Sequence, residues 1–213
     1  MRKTLLMATA AIGLGASAAV AQGPSAIRLR LEPGSEITIQ GTSTLHEFHC
    51  RTDKILAYVD VDPSYTKDLT KVAKPLVSVK VNIVARTLTC GGGAIDNNMY
   101  KTLKTDQFQM IKYTMSGYDL LDATTSSFSA NTKGTLQIAG QDKAVDIKIN
   151  AARLAEGKAT AEGEETIKLT DFGIEPPSFM FGRLRVGNEL KVKFNLKAGP
   201  ELIAQLTAAI NGE

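Results

Sequence analysis

Apolar and polar residues alternate with a period of two along most of this chain, the repeat of a strand that turns one face to a core and the other to water. The strictest run lies near the C-terminus, where Leu190, Val192, Phe194 and Leu196 alternate with Lys191, Lys193, Asn195 and Lys197 until Gly199 and Pro200 end it. Val77, Val79, Val81 and Ile83 repeat the pattern against Ser78, Lys80 and Asn82. Shorter runs predict strands over 27–31, at Ile37 and Ile39, over the hydroxyl-rich 42–50, and over 54–61 with Ile55, Ala57, Val59 and Val61 on one face. Further strands carry Ile111, Tyr113 and Met115, then Leu136 and Ile138, then Val145, Ile147 and Ile149, and one ends at Ile167 and Leu169. A tight turn over 140–143 makes a hairpin of two of these. Residues 67–75 and 123–127 read as polar connections, and 171–187 as a long loop carrying Phe172, Phe179 and Phe181.

One stretch breaks the alternation. In residues 90–111 a helical spacing replaces it, with Met99 and Leu103 four apart on one face, Tyr100 beside Leu103, and Asp96 as the expected cap. Lys101 and Lys104 fall in the last turn, where cations suit the helix dipole. Gly91, Gly92 and Gly93 allow a sharp turn ahead of it.

About eight antiparallel strands at short spacings predict an all-β sandwich or closed barrel. Its apolar face points inward, because a small barrel could not hold Lys80, Asp146, Lys148, Lys168, Lys191, Lys193 and Lys197 inside it unpaired. Tryptophan is absent and aromatic residues make up 6% of the chain, so the aromatic girdles of a membrane barrel are missing.

The ends and the charge narrow the class. Arg2 and Lys3, the apolar run from Leu5 to Leu14 and the small residues Ala19 and Ala21 read as a secretory signal peptide over 1–21, with cleavage after Ala21 and periplasmic export of one domain over 22–213. Removing it takes two of the 25 basic residues and leaves 23 against 22 acidic, a balance that gives no electrostatic case for nucleic acid. Leu202, Ile203, Leu206 and Ile210 predict an amphipathic C-terminal helix packed on the outside of the domain. The only cysteines, Cys50 and Cys90, read as a disulfide in an oxidising compartment. The competing use of Cys50 is a metal site with His46 and His49, although on one strand His49 would point away from the other two.

For catalysis the chain offers only those two histidines, no G-x-S-x-G or Walker pattern, and no Lys-Ser/Thr after the glycines, so no enzyme, resident cofactor or metal is expected. Phe179, Met180 and Phe181 read either as a loop folding its own aromatics into a barrel end or as an adaptable apolar rim for a lipid tail.

Four motifs in order, GTSTLHEF (41–48), LTCGGGAIDNNMYKTLKTDQFQMI (88–111), GTLQIAGQDKAVDI (134–147) and FGIEPPSFMFGRLRVGNELKVKFNL (172–196), resemble the YceI-like family. Glu47 and Phe48 stand where a branch of that family usually has aspartate and tryptophan, and Phe108 and Gln109 where it commonly has tyrosine and proline. The resemblance implies an extended, lipocalin-like, eight-stranded antiparallel β-barrel, exported to the periplasm, whose interior binds a polyisoprenoid such as an isoprenoid quinone. Strands of ten residues at about 3.3 Å each would make a barrel roughly 30 Å tall. Together these readings predict a bore lined by Val79, Val81, Tyr113, Met115, Ile147, Ile149, Val192 and Phe194, with Met99, Leu103 and Phe179, Met180 and Phe181 at an end. Three classes stay open from the residues themselves: an apolar-chain carrier with a hollow bore, a structural or stress-related interaction module whose barrel is filled by side chains, and a metal or redox protein using Cys50, His46 and His49.

Overall fold

Alternation this strict leaves the strands no choice of face, and the computed structural model, which describes residues 26–179 and 181–201, closes them into one antiparallel ring. The strands are β1 (Ile27–Leu31), β2 (Glu36–Ser43), β3 (Glu47–Thr52), β4 (Ile55–Val61), β5 (Leu76–Val84), β6 (Met110–Ala123), β7 (Ser127–Ile138), β8 (Gln141–Arg153), β9 (Ala159–Lys168), β10 (Ser178–Phe179) and β11 (Leu184–Pro200). The helix α1 (Gly93–Thr102) lies between β5 and β6. Around the ring run β1, β4, β5, β6, β7, β8, β9 and β11, and β11 returns to β1 through Leu29 opposite Pro200 and Leu31 opposite Ala198. The hairpin of β2 and β3 prolongs β1 and β4, since β2 takes the next stretch of the same β11 edge, Phe194 opposite Ile37. The eight staves expected from the sequence are therefore present, two of them interrupted. The expected signal peptide, the C-terminal amphipathic helix and Met180 lie outside the described residues.

The interruptions have local causes. Between β1 and β2, Gly34 adopts a positive φ of 89°. The buried Ser35 hydroxyl keeps this bulge on β11 by accepting from the Lys197 N–H at 3.0 Å and donating its proton to the Glu32 carbonyl at 2.9 Å. Residues 42–50 are not one strand but the β2–β3 turn and its flanks, because Ser43 Oγ accepts from the N–H groups of Leu45 and His46 and reverses the chain there. Val77 is exposed rather than inward. A bulge opposite Val61 brings Leu76 into register and turns Val77 out. The β7–β8 turn is the pair Ala139 and Gly140, both at positive φ, so 141–143 belong to β8. Gly199 and Pro200 do not end the last strand, since β1 pairs with them, and β11 starts at Leu184 inside the expected loop.

The wall's outer face carries the charges. Arg28 forms a two-point contact with Asp60 at 2.7 and 3.1 Å, and Lys191 and Lys193 both reach Glu164. The expected polar connection after β4 folds instead into two short 3-10 turns, started by Asp62 and Asp68, whose carboxylates accept from the N–H groups of Ser64 and Thr70. Those turns drive Tyr65, Leu69 and Val72 against Leu29, Val61 and Ala198, and this cluster plugs one end of the ring. At the other end Leu169, Phe172 and Ile174 pack on Ile138 and Ala139.

Candidate functional site

Above the plug the barrel is hollow. A cavity of about 240 Å³ runs inside the wall, lined almost entirely by the inward members of the alternating runs. Val79, Val81, Tyr113, Ile147, Ile149, Val192 and Phe194 all line it. A second apolar cavity of about 450 Å³ shares Ile39, Leu88, Ile111, Ile138 and Ile167 with the first and opens towards α1, so the two form a bore and its mouth. Met99 and Leu103 line the mouth. Two expected residues do not take part. Met115 precedes a bulge in β6 and lines neither cavity, and Phe181 turns wholly into solvent at the β10–β11 turn, with a φ of 57°. The backbone of Phe179 pairs with Leu184.

What keeps the bore open is a pairing the alternation does not reveal. Three glycines face inward, and the tip of an aromatic ring packs against each: Tyr113 on Gly134, Phe194 on Gly163 and Phe48 on Gly41. A Cβ built on Gly163 would stand 2.4 Å from the Phe194 ring, and one on Gly134 2.6 Å from that of Tyr113. The rings thus occupy wall positions that other side chains would fill. Gly163→Ala is expected to push Phe194 off the wall and into the bore, destabilising the fold by about 1–3 kcal/mol, the usual cost of overpacking. Chemical denaturation would measure that loss, and a crystal structure of the variant would show the ring displaced.

The mouth is organised by α1. Gly92 caps the helix at a φ of 89°, and Asp96 is not the expected cap but a first-turn residue that folds back. Its buried carboxylate accepts from the Cys90 N–H at 2.6 Å and the Thr89 hydroxyl at 2.7 Å. Burial pushes that carboxyl up, but these bonds and one from Gly92 outweigh it and hold it below its ordinary range. Lys101 is in the last turn, whereas Lys104 lies beyond the helix at a φ of 52°. The Tyr100 hydroxyl donates to the Leu88 carbonyl at 2.8 Å, tying α1 to the chain that enters it. Cys90 is bonded to Cys50 of β3, and beside that bridge Arg51 and Thr89 exchange main-chain hydrogen bonds at 2.9 and 3.0 Å. With its sulfur so engaged, Cys50 is not available as a metal ligand. His46 sits in the β2–β3 turn at the mouth, its Nδ1 2.7 Å from the Glu47 carbonyl oxygen, and His49 is exposed on β3.

Few polar side chains reach the bore. Tyr113 donates to Thr132 Oγ1 at 3.1 Å, and the Thr132 hydroxyl donates to the Ile147 carbonyl at 2.9 Å. Burial raises the Tyr113 phenol, and it also raises the carboxyl of Glu165, which lines the same cavity; Asp146 on the outer face adds to both. Arg153 stands at the plugged end, donating to the Thr125 carbonyl at 3.3 Å. Glu165 was not singled out by the sequence analysis. The signal lies in the parity that Glu165 shares with Ala161, Gly163 and Ile167, which the charged residues between them obscure.

A sequence profile of the YceI-like domain matches residues 32–198. No curated protein matches the chain. Among solved structures the chain is similar to BcnA of Burkholderia cenocepacia, with a TM-score of 0.61 at 17% identity over 78% of this chain and 98% of that one. It is also similar to a polyisoprenoid binding domain from Saccharophagus degradans implicated in plant cell wall breakdown, with a TM-score of 0.60 at 12% identity over 82% and 99% of the two chains. For the YCEI protein of Campylobacter jejuni the values are 0.55 and 17%, over 71% and 84%. These likenesses are likenesses of fold.

Proposed function

The chain belongs to the YceI-like family, and from that premise we propose that it is an exported, non-enzymatic carrier that holds one long apolar chain, a polyisoprenoid or similar lipid, inside its barrel. The observation that carries this reading is the hollow apolar bore and its mouth. An eight-stranded barrel either fills its interior or leaves room for a slender ligand, and the rings packed against inward glycines leave room here. A barrel filled by its own side chains would not enclose that volume. Support by analogy of fold comes from the Saccharophagus degradans domain, described as polyisoprenoid binding. An isoprenoid quinone is one chain of the required kind, and the role needs no metal. Export rests on the basic, apolar and small-residue pattern of residues 1–21.

One preparation tests all of this. Protein purified from the cell envelope of its own source should have an intact mass beginning at Gln22 with no alkylatable thiol, and its organic extract should yield about one long-chain lipid per protein. An extract without such a lipid, from protein that also takes up no added polyprenol, would sink the proposal.

A further inference from the structure

We propose that Glu165, Tyr113 and Thr132 form a polar station inside the bore that receives an uncharged oxygen-bearing group of the ligand, so that the chain lies with its head inward and its tail towards α1. This rests on the carrier reading and goes further, because it assigns the chemistry of the head group and the orientation of the chain.

The three residues sit at one level of the wall. Thr132 of β7 pairs with Ile147 of β8. On the other side of β8, Ile149 pairs with Gly163, two residues before Glu165, and Glu165 stands opposite Val192 of β11. Tyr113 reaches Thr132 from β6. Around them the lining is aliphatic.

Hydrogen-bond inventory then defines the guest. The Tyr113 and Thr132 protons are both committed, leaving the Tyr113 oxygen with lone pairs to offer. Glu165 has no side-chain partner among the described residues, only a bond from the Thr166 N–H. A carboxyl facing an apolar bore without a partner costs the fold free energy that valine or leucine would not, and a ligand group that bonds to it offsets that cost. Its oxygens accept hydrogen bonds, and burial raises the carboxyl towards the form that also donates one. A hydroxyl, carbonyl or amide matches this set. A carboxylate or phosphate does not, because among the described residues no cation faces the bore at this level. The bore's arginine, Arg153, is six residues further along β8 from Ile147, about 20 Å away at the rise of a strand. The tail then points towards the mouth, because the other end of the ring is plugged and the mouth is also apolar.

Geranylgeraniol, geranylgeranoic acid and phytane share an isoprenoid chain and differ in carrying a hydroxyl, a carboxylate or no head group. Their binding to the mature chain would be measured at neutral pH by displacement of a fluorescent apolar probe. The wild type should prefer the alcohol to the acid by about tenfold or more, and Glu165→Leu should lower the alcohol's affinity about tenfold while leaving that of phytane within about twofold. Glu165→Lys should reverse the alcohol-to-acid preference. Tyr113→Phe, which removes only an oxygen, should weaken the alcohol about threefold. Unchanged head-group preference in Glu165→Leu and Tyr113→Phe, with phytane still bound, would overturn the station and leave the carrier standing. Failure of the wild type to bind phytane or either head-group analogue would overturn the carrier, and the station with it.

Discussion

Ile147→Phe is expected to cost about a hundredfold in affinity for long chains and to leave short ones nearly untouched. Ile147 is midway along the bore, beside the Thr132 hydroxyl that caps its own carbonyl, so a ring there closes the passage between the plugged end and the mouth. Each methylene withdrawn from water contributes about 0.8 kcal/mol, close to fourfold in affinity, and a ring at 147 sets the head group back towards the mouth, so that a long chain filling the bore leaves three or four of them outside. Val81→Phe, from the β5 wall, should act in the same way. Stability should change much less, because the added carbons enter empty volume rather than a packed core. Titration with a series of polyprenols of increasing length, beside urea unfolding of each variant, separates the two effects. Binding that ignored tail length, or that survived both substitutions in folded protein, would place the site outside the bore.

Removing the bridge between Cys50 and Cys90 should have the largest effect on stability. The cysteines are 40 residues apart, and the chain-entropy model gives roughly 4 kcal/mol for closing such a loop. That corresponds to a fall of roughly 2 M in the urea midpoint of the double serine variant, for a slope of about 2 kcal/mol per molar. Affinity for long chains should fall as well, since the bridge fixes the start of α1, and α1 supplies Met99 and Leu103 to the mouth. A double variant as stable as the wild type would show that the bridge does not hold the fold together.

The period-two pattern made the ring legible because each strand has one face that water rejects and one that it accepts. What it could not show were the places where backbone geometry overrides side-chain preference. The bulge that turns Val77 out depends on cross-strand register, which no single run contains, and the turn that splits 42–50 on a serine hydroxyl bonding its own backbone, which the alternation does not record. The bore itself was legible only as a list of inward residues. Whether Phe194 and Tyr113 fill it depends on their neighbours on the facing strands, Gly163 across the ladder from Phe194 and Gly134 diagonal to Tyr113, both far from them in sequence. Phe181 was misplaced because a cluster of apolar residues near Pro176 and Pro177 says nothing of which way a turn faces.

The seam where β11 meets β1 and β2 also sets when this chain can fold. Leu29 finds its partner in Pro200, so the first stave remains unpaired along that edge until β11 has been synthesised. The loop that must close spans most of the sequence, and its entropic cost comes before any of the contacts that reward it. Intermediate strands can form hairpins as they emerge, the β7–β8 pair with its two-residue turn first among them. The ring, and with it the bore, comes into being only after β11 has left the ribosome, which leaves the staves before it pliable until then.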